Sequence, residues 1–273
     1  MAFRRIRTLR KLSGNPGIRA AYRRTLDAIL KDMHKDVSKA ILEEYDAAEW
    51  RMARDSAWRS PSERLADRLE RLMAKWRRRF NTFAVTTAGK YLKQIWTAVR
   101  VGRKNELVEL GIPRRINPSR FTSELFQALL AENVGLIRNI PDQYFSRIAQ
   151  DVQRSIAAGG DRQMLVQDLR KNYGFTETRA RFVARDQTAK ATQALAESTD
   201  RDLGFTEGVW VHVPGRKSSR PTHIAMDGKT FKLGVGLYDK NANGKGKGAM
   251  VSPGSLPNCM CTYRPVIPKD WKA

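Results

Sequence analysis

From Ile18 onward the apolar residues Tyr22, Leu26, Ile29, Met33, Val37, Ile41, Tyr45 and Ala48 recur at steps of three and four, which lines up one stripe along a helix. Pro16, just ahead of them, suits the start of that helix. A second pattern opens at "SPSERL", where Ser60 can cap with Glu63 three residues on and Pro61 fits the first helical position. Leu65, Leu69, Leu72, Trp76, Phe80 and Phe83 continue it. Trp76 and Phe80 read as core positions on that stripe, with base stacking as the minor alternative. The run "GIPRRINPSR", residues 111–120, interrupts the periodicity with two prolines. Beyond it the pattern predicts one or two helices across 121–157, one from about 161 to 171 and one from about 177 to 199, separated by "AGGD" and "NYGFT". After Gly204 the period changes to two at Val209, Val211 and Val213, and glycine and proline become frequent.

The expected fold is therefore α+β and mainly helical: long N-terminal helices, a central helical bundle and a small β-rich C-terminal part. The expected division is a basic arm over 1–14, long basic amphipathic helices over 15–110, a linker over 111–120, a helical domain over 121–203 and a β-rich domain with a glycine-rich loop over 204–273. With 273 residues, 41% of them apolar, the chain can bury a core without disulfides. No window approaches the roughly 18 apolar residues of a membrane span, and the basic N-terminus lacks an apolar segment after its charges, so secretion and membrane insertion are not expected.

Charge changes this picture most. The net charge is +23, and residues 1–120 hold 29 basic and 13 acidic residues, residues 121–200 hold 10 of each, and residues 201–273 hold 12 and 5. Such a field fits a polyanion, nucleic acid first, although an acidic protein surface would serve as well. The candidates for that contact are Arg64, Arg68, Arg71, Lys75, Arg77, Arg78 and Arg79, on the flank of the second helix. A helix-turn-helix around "NYGFT", with Arg179, Arg181 and Arg185 reading a groove, fits poorly with the zero net charge there. The faces of Ala180, Val183, Ala184, Gln187, Ala191 and Leu195 suit packing inside a bundle instead.

Both cysteines fall in "PNCMCTY", and one of the three histidines in "RPTHIAMDGKTF". C-x-C closes a disulfide on itself with difficulty, because neighbouring side chains diverge, so a reducing compartment is expected. His212, His223, Cys259 and Cys261 are a suitable donor set for zinc. Structural zinc sites usually use C-x2-C, however, and the expectation is no cofactor, with zinc on these four as the alternative. His223 and Asp227 could form a base and its orienter, but no nucleophile motif accompanies them. "DKNANG", from Asp239, opens like a calcium loop, yet Met250 stands where the closing acid belongs, and Lys245 and Lys247 occupy the ring. A glycine-rich surface loop is expected there; no phosphate loop fits the Gly-Lys spacing. Asp227-Gly228 is expected to turn a hairpin.

Taken in order, "ARDQT", "VWVHV", "RPTHIAMDGKTF", a glycine-rich excursion, "SPG" and "PNCMCTYRPV" resemble the tailed-phage head morphogenesis family, the minor capsid proteins similar to the F protein of phage Mu. The resemblance covers roughly residues 133–267. It places the family's signature on Arg185, Trp210, Arg220, His223, Asp227, Gly228, Phe231, Pro253, Gly254, Asn258, Cys259 and Cys261. Two positions depart from it: Met260 stands where arginine is frequent, and Gln187 where an acid is frequent two residues after the helix arginine. The resemblance implies a non-enzymatic minor capsid protein of the virion head at the portal vertex, present in the host cytoplasm during assembly. It further implies the portal protein and capsid components as partners, and a part in packaging or ejecting DNA, contacted without sequence preference. It also implies a structural cluster in which Asn258 bonds nearby backbone and the cysteines tuck in a returning strand. The competing expectations are a metal-dependent nuclease or hydrolase built on the His, Asp and Cys cluster, and a DNA-binding regulator using the "NYGFT" helices.

Overall fold

The computed structural model describes residues 7–47, 61–112, 115–158, 161–214, 219–244 and 246–268. Residues 1–6 of the expected arm, the cap Ser60, Pro113 and Arg114 of the expected linker, Gly159, Gly160, Lys245 and residues 269–273 lie outside the described residues. Helices α1 (Pro16–Ala47), α2 (Pro61–Glu109), α3 (Arg120–Ala157) and α4 (Arg162–Asp202) precede strand β1 (Glu207–Val211), the short α5 (Pro221–Ile224), and strands β2 (Thr230–Lys232), β3 (Leu237–Asp239), β4 (Ala249–Val251) and β5 (Thr262–Pro265). The protein is thus α+β and mainly helical. No helix among the described residues is long and apolar enough to cross a membrane.

Local chemistry sets the helix ends. The Asn15 side chain accepts from the Gly17 and Ile18 amides at 2.8 and 3.2 Å, Ser119 Oγ from Thr122 N at 3.1 Å, and Asp161 Oδ1 from Met164 N at 3.0 Å, so α1, α3 and α4 each begin on a side-chain cap. Pro141 lies inside α3 without ending it. α4 is one helix where the sequence pattern predicts two, because the stripe of Leu165, Leu169, Asn172, Thr176, Ala180 and Val183 stays buried straight through "NYGFT". Gly174 within it carries a penalty of only about 1 kcal/mol, which that burial offsets. The turn that a helix-turn-helix requires does not exist there.

The chain forms two compact units, and neither follows the sequential division expected: one comprises 1–19, 89–131 and 185–273, the other 20–88 and 132–184. Segments 15–110 and 121–203 each contribute to both. In the second unit Tyr22, Leu26, Met33, Val37, Trp76 and Phe80 are buried, and the Tyr22 hydroxyl donates to Asn133 Oδ1 at 2.6 Å. Trp76 is core, its Nε1 donating to Asp36 at 2.9 Å.

In the first unit, β1 is the middle strand of an antiparallel sheet in the order β2-β1-β5, with Val209 opposite Thr230 on one side and Arg264 on the other; β3 and β4 form a separate antiparallel pair. Residues 7–14 do not stand off as an arm. Leu9 is buried, its amide donates to the Pro265 carbonyl at 2.9 Å and Thr8 bridges to Val266, so this segment extends the edge beyond β5. Leu9, Leu107, Ala196, Phe205, Trp210, Phe231, Val251, Cys259, Cys261 and Tyr263 share one core.

Candidate functional site

All twelve signature positions fall in this unit, and His223, Gly228 and Phe231 meet Trp210. That fully buried ring packs edge-on against His223 at 5.4 Å and Phe231 at 5.9 Å, and Phe231 packs in turn on Tyr263 at 5.8 Å. Gly228 donates to the Trp210 carbonyl and Trp210 to the Lys229 carbonyl, both at 2.9 Å. Gly228 adopts φ 75°, which glycine takes without strain. Asp227 and Gly228 do not form the tip of a tight hairpin, however. β1 and β2 are joined by residues 212–229, and the pair turns the chain out of α5 into β2, with Asp227 Oδ1 accepting from the His212 amide at 2.8 Å.

Arg220 anchors α5 from two sides. Its carbonyl accepts the amides of His223 and Ile224 at 3.0 and 3.1 Å, and its guanidinium donates to the Pro257 carbonyl at 2.9 Å. The start of α5 is thereby tied to the loop that carries the cysteines, and His223 faces that loop. Pro253 and Gly254, both buried, lead into it from β4.

The loop is gripped from α4. Arg185 donates through Nη2 to Asn258 Oδ1, and Asp186 Oδ1 accepts the Asn258 amide at 2.5 Å. The Asn258 side chain thus holds Arg185 rather than nearby backbone. Asn258 has φ 61°, a left-handed conformation in which asparagine is several-fold enriched. The acid that works with the helix arginine is Asp186, beside it in sequence, so the glutamine at 187 removes nothing from this grip.

That turn brings the two thiols together instead of splaying them. Cys259 Sγ lies 3.3 Å and Cys261 Sγ 3.6 Å from His223 Nδ1, and Cys261 Sγ lies 3.5 Å from His212 Nδ1. The thiols are both reduced and buried. The hydrogen bond from Cys259 holds the Cys261 thiol well below its ordinary value, while the same bond, with burial, pushes Cys259 up. On the far side of the ring, His223 Nε2 is 3.2 Å from Asp239 Oδ2. Burial opposes ionisation of Asp239, yet the Asn241 amide at 2.9 Å and its other donors hold its carboxyl below the usual range. The carboxylate beside His223 is therefore Asp239 and not Asp227, and the proposed base-and-orienter pair does not form. Asp239 was hidden in the sequence because its "DKNANG" context reads as a surface loop; among the described residues that follow, Lys240, Asn241, Asn243, Gly244, Gly246 and Lys247 are exposed, but Asp239 itself is buried.

A second buried polar centre has no signal in the sequence. Arg103, 1% exposed, holds Asp200, 0% exposed, through contacts of 2.7 and 2.9 Å, and donates to Glu106 at 2.6 Å and to the Arg10 carbonyl at 3.1 Å. Tyr263 donates its hydroxyl to Asp200 at 2.6 Å. Burial pushes the Asp200 carboxyl up to about 6 against the attraction of Arg103.

The basic candidates lie on α2 in the other unit, and acids already engage four of them. Arg64 is 3.7 Å from Glu44, Arg68 contacts Glu43 and Glu44 at 2.5 and 3.1 Å, Lys75 contacts Asp36 at 2.7 Å, and Arg77 contacts Asp142 at 2.6 Å. Arg79 lies over the Trp76 ring at 4.3 Å. Arg71 and Arg78 are exposed, with no acidic partner among the described residues.

With this geometry in view, the comparison with known families becomes specific. Residues 146–264 match the Phage Mu protein F like protein family. The match spans α4, the Trp210 sheet, α5 and the cysteine loop, and it bears out the resemblance read from the motifs. A Haemophilus influenzae protein described as uncharacterized is 27% identical over 170 residues, covering 62% of this chain and 35% of its own length. The chain thus spans about a third of that relative. No solved structure matches the chain.

Proposed function

We propose that this chain is a minor head protein of a tailed phage, seated at the portal vertex, where it takes part in head morphogenesis and contacts packaged DNA without reading its sequence. The observation that carries the reading is the Mu F-like match across the whole Trp210 and cysteine-loop assembly. A structural role is supported by the site itself: His223, Cys259, Cys261 and Asp239 are buried, and Asp227 is committed to backbone. The same features weigh against a hydrolase, and a continuous α4 removes the basis for a helix-turn-helix regulator.

Contact with DNA is supported by the excess charge of residues 1–120, but ion pairing narrows the set that can meet phosphate. Arg71 and Arg78 have no acidic partner among the described residues, and Arg79 is left with the Trp76 ring and the field of Asp36. Two experiments test the reading. Co-expression with the portal protein of the same phage should give a complex that survives purification; failure to associate would remove the portal assignment. For DNA, log affinity for duplex should fall linearly with log salt, and changing Arg71, Arg78 and Arg79 to glutamine should make the slope shallower by up to about three units at about 0.9 per phosphate. Absence of duplex binding at low salt by a chain that still binds portal would reassign this surface to an acidic protein face.

A further inference from the structure

The donors around His223 are arranged as a ligand cage, a feature that the family resemblance does not explain. Two thiols converge on one ring nitrogen, His223 Nδ1, at 3.3 and 3.6 Å. A single imidazole lone pair takes only one thiol donor, so as a hydrogen-bonded cluster the arrangement closes only if Cys259 turns its proton to Cys261 instead. As a coordination shell it is consistent. With zinc–sulfur bonds of about 2.3 Å and zinc–nitrogen bonds of about 2.0–2.1 Å, a tetrahedral site has nitrogen-to-sulfur edges of about 3.5–3.6 Å. The three measured separations are 3.3, 3.5 and 3.6 Å. The ligand atoms of His223, Cys259 and Cys261 all lie within 4.8 Å of one another; His212, half-buried and 3.5 Å from Cys261 Sγ, stands outside that group and must swing in to become the fourth ligand.

We propose that His212, His223, Cys259 and Cys261 bind one Zn2+ as a structural site, with Asp239 orienting His223 from behind. The two-thiolate, two-imidazole set is one that structural zinc uses. Asp239 Oδ2 lies 3.2 Å from His223 Nε2 without completing a hydrogen bond to it; with the ion on Nδ1, the Nε2 proton would face this carboxylate, the kind of partner found behind most zinc-bound histidines. A staple has something to hold: β3 and β4 form only a two-stranded pair of three residues each, and such a pair is marginal by itself. The ion would join the residue after β1, helix α5 and the loop before β5, and through Asp239 it would also hold β3. Binding displaces the thiol protons to solvent, leaving both sulfurs as thiolates. C-x2-C spacing is unnecessary here because side chains two apart on an extended segment share a face, and Asn258, held by Arg185 and Asp186, fixes where that segment begins.

The test uses the full chain. Protein purified without added metal should carry about one zinc per chain, and replacing it with Co2+ should give a thiolate-to-cobalt charge-transfer band with tetrahedral visible bands. Cys259→Ser should abolish that band. Because that variant can fail to fold, Asp239→Asn and His212→Ala provide the second measurement. Asp239→Asn should weaken zinc in a chelator competition by about 10- to 100-fold, and His212→Ala should weaken it by at least a similar factor. A folded, metal-free wild type that takes up neither Zn2+ nor Co2+ at micromolar concentration overturns the proposal, as does zinc retained unchanged in folded Cys259→Ser. Unchanged zinc affinity in His212→Ala overturns the four-ligand assignment.

Discussion

Replacing Arg103 with methionine should be among the most damaging single changes in the first unit, although no motif marks the position. The guanidinium is 1% exposed, donates to Asp200 Oδ2, Glu106 Oε2 and the Arg10 carbonyl, and has its Nε 2.7 Å from Asp200 Oδ1. Without it, Asp200 keeps the Tyr263 hydroxyl but is a fully buried carboxylate that has lost the cation holding it. Breaking a buried pair from one side costs about 3–5 kcal/mol, whereas removing both charges together is often close to neutral. At about 2–4 °C per kcal/mol for a chain of this size, the single variant should melt roughly 6–20 °C lower at pH 7. Arg103→Met with Asp200→Asn should recover at least half of that loss. The pH dependence has a definite sign. Burial already raises Asp200 to about 6 in the folded protein, above its unfolded value of about 3.9, so the folded state binds the extra proton and gains stability as pH falls through this window. Loss of Arg103 raises the folded value further. The deficit of the single variant should therefore shrink between pH 7 and pH 5, while that of the double variant, which has no Asp200 to protonate, should grow by the roughly 1 kcal/mol that the wild type gains over this window. Denaturant melts at the two pH values decide the matter: a loss under about 1 kcal/mol at pH 7, or a deficit independent of pH, refutes the buried-charge account.

Two further outcomes follow from local geometry. At Gly228 a Cβ meets nothing within 4 Å, so Gly228→Ala should cost only the backbone penalty of φ 75°, about 1 kcal/mol. At Gly236, φ 85°, the Cβ would sit 2.1 Å from the Val251 carbonyl oxygen, so Gly236→Ala must also part β3 from β4; equal thermal shifts in the two variants would contradict the close approach. His34 is a pH-sensitive element of the second unit: burial lowers its pKa below the ordinary value while Glu177 partly opposes this, and its ring stacks on Tyr173 at 4.6 Å and contacts the Tyr144 hydroxyl at 2.9 Å. A depressed folded pKa means that stability is present above about 6.5 and is lost as pH falls through the folded value; His34→Gln should flatten that acid limb, and an unaltered limb would assign it to other groups.

Apolar periodicity and caps determined most of the helical architecture by themselves, because a stripe spaced at three and four residues has one inexpensive way to be buried. The alternation after Gly204 likewise announced the strands, and the ordered motifs identified the family segment. Tertiary structure decided what depends on residues far apart in the chain. Gly174 reads locally as a break, and only the buried stripe on both sides makes α4 continuous. The two units recombine segments that the sequence lists consecutively, because packing partners need not be neighbours along the chain. Arg103 and Asp200 look like ordinary surface charges until their separation of 97 residues closes to an ion pair. At the cysteine cluster, the sequence supplied His212, His223, Cys259 and Cys261 as a possible set but could not bring them to one point. That took a left-handed Asn258 gripped from α4, a turn of helix seated by Arg220, and an aspartate whose surroundings spelled out a surface loop.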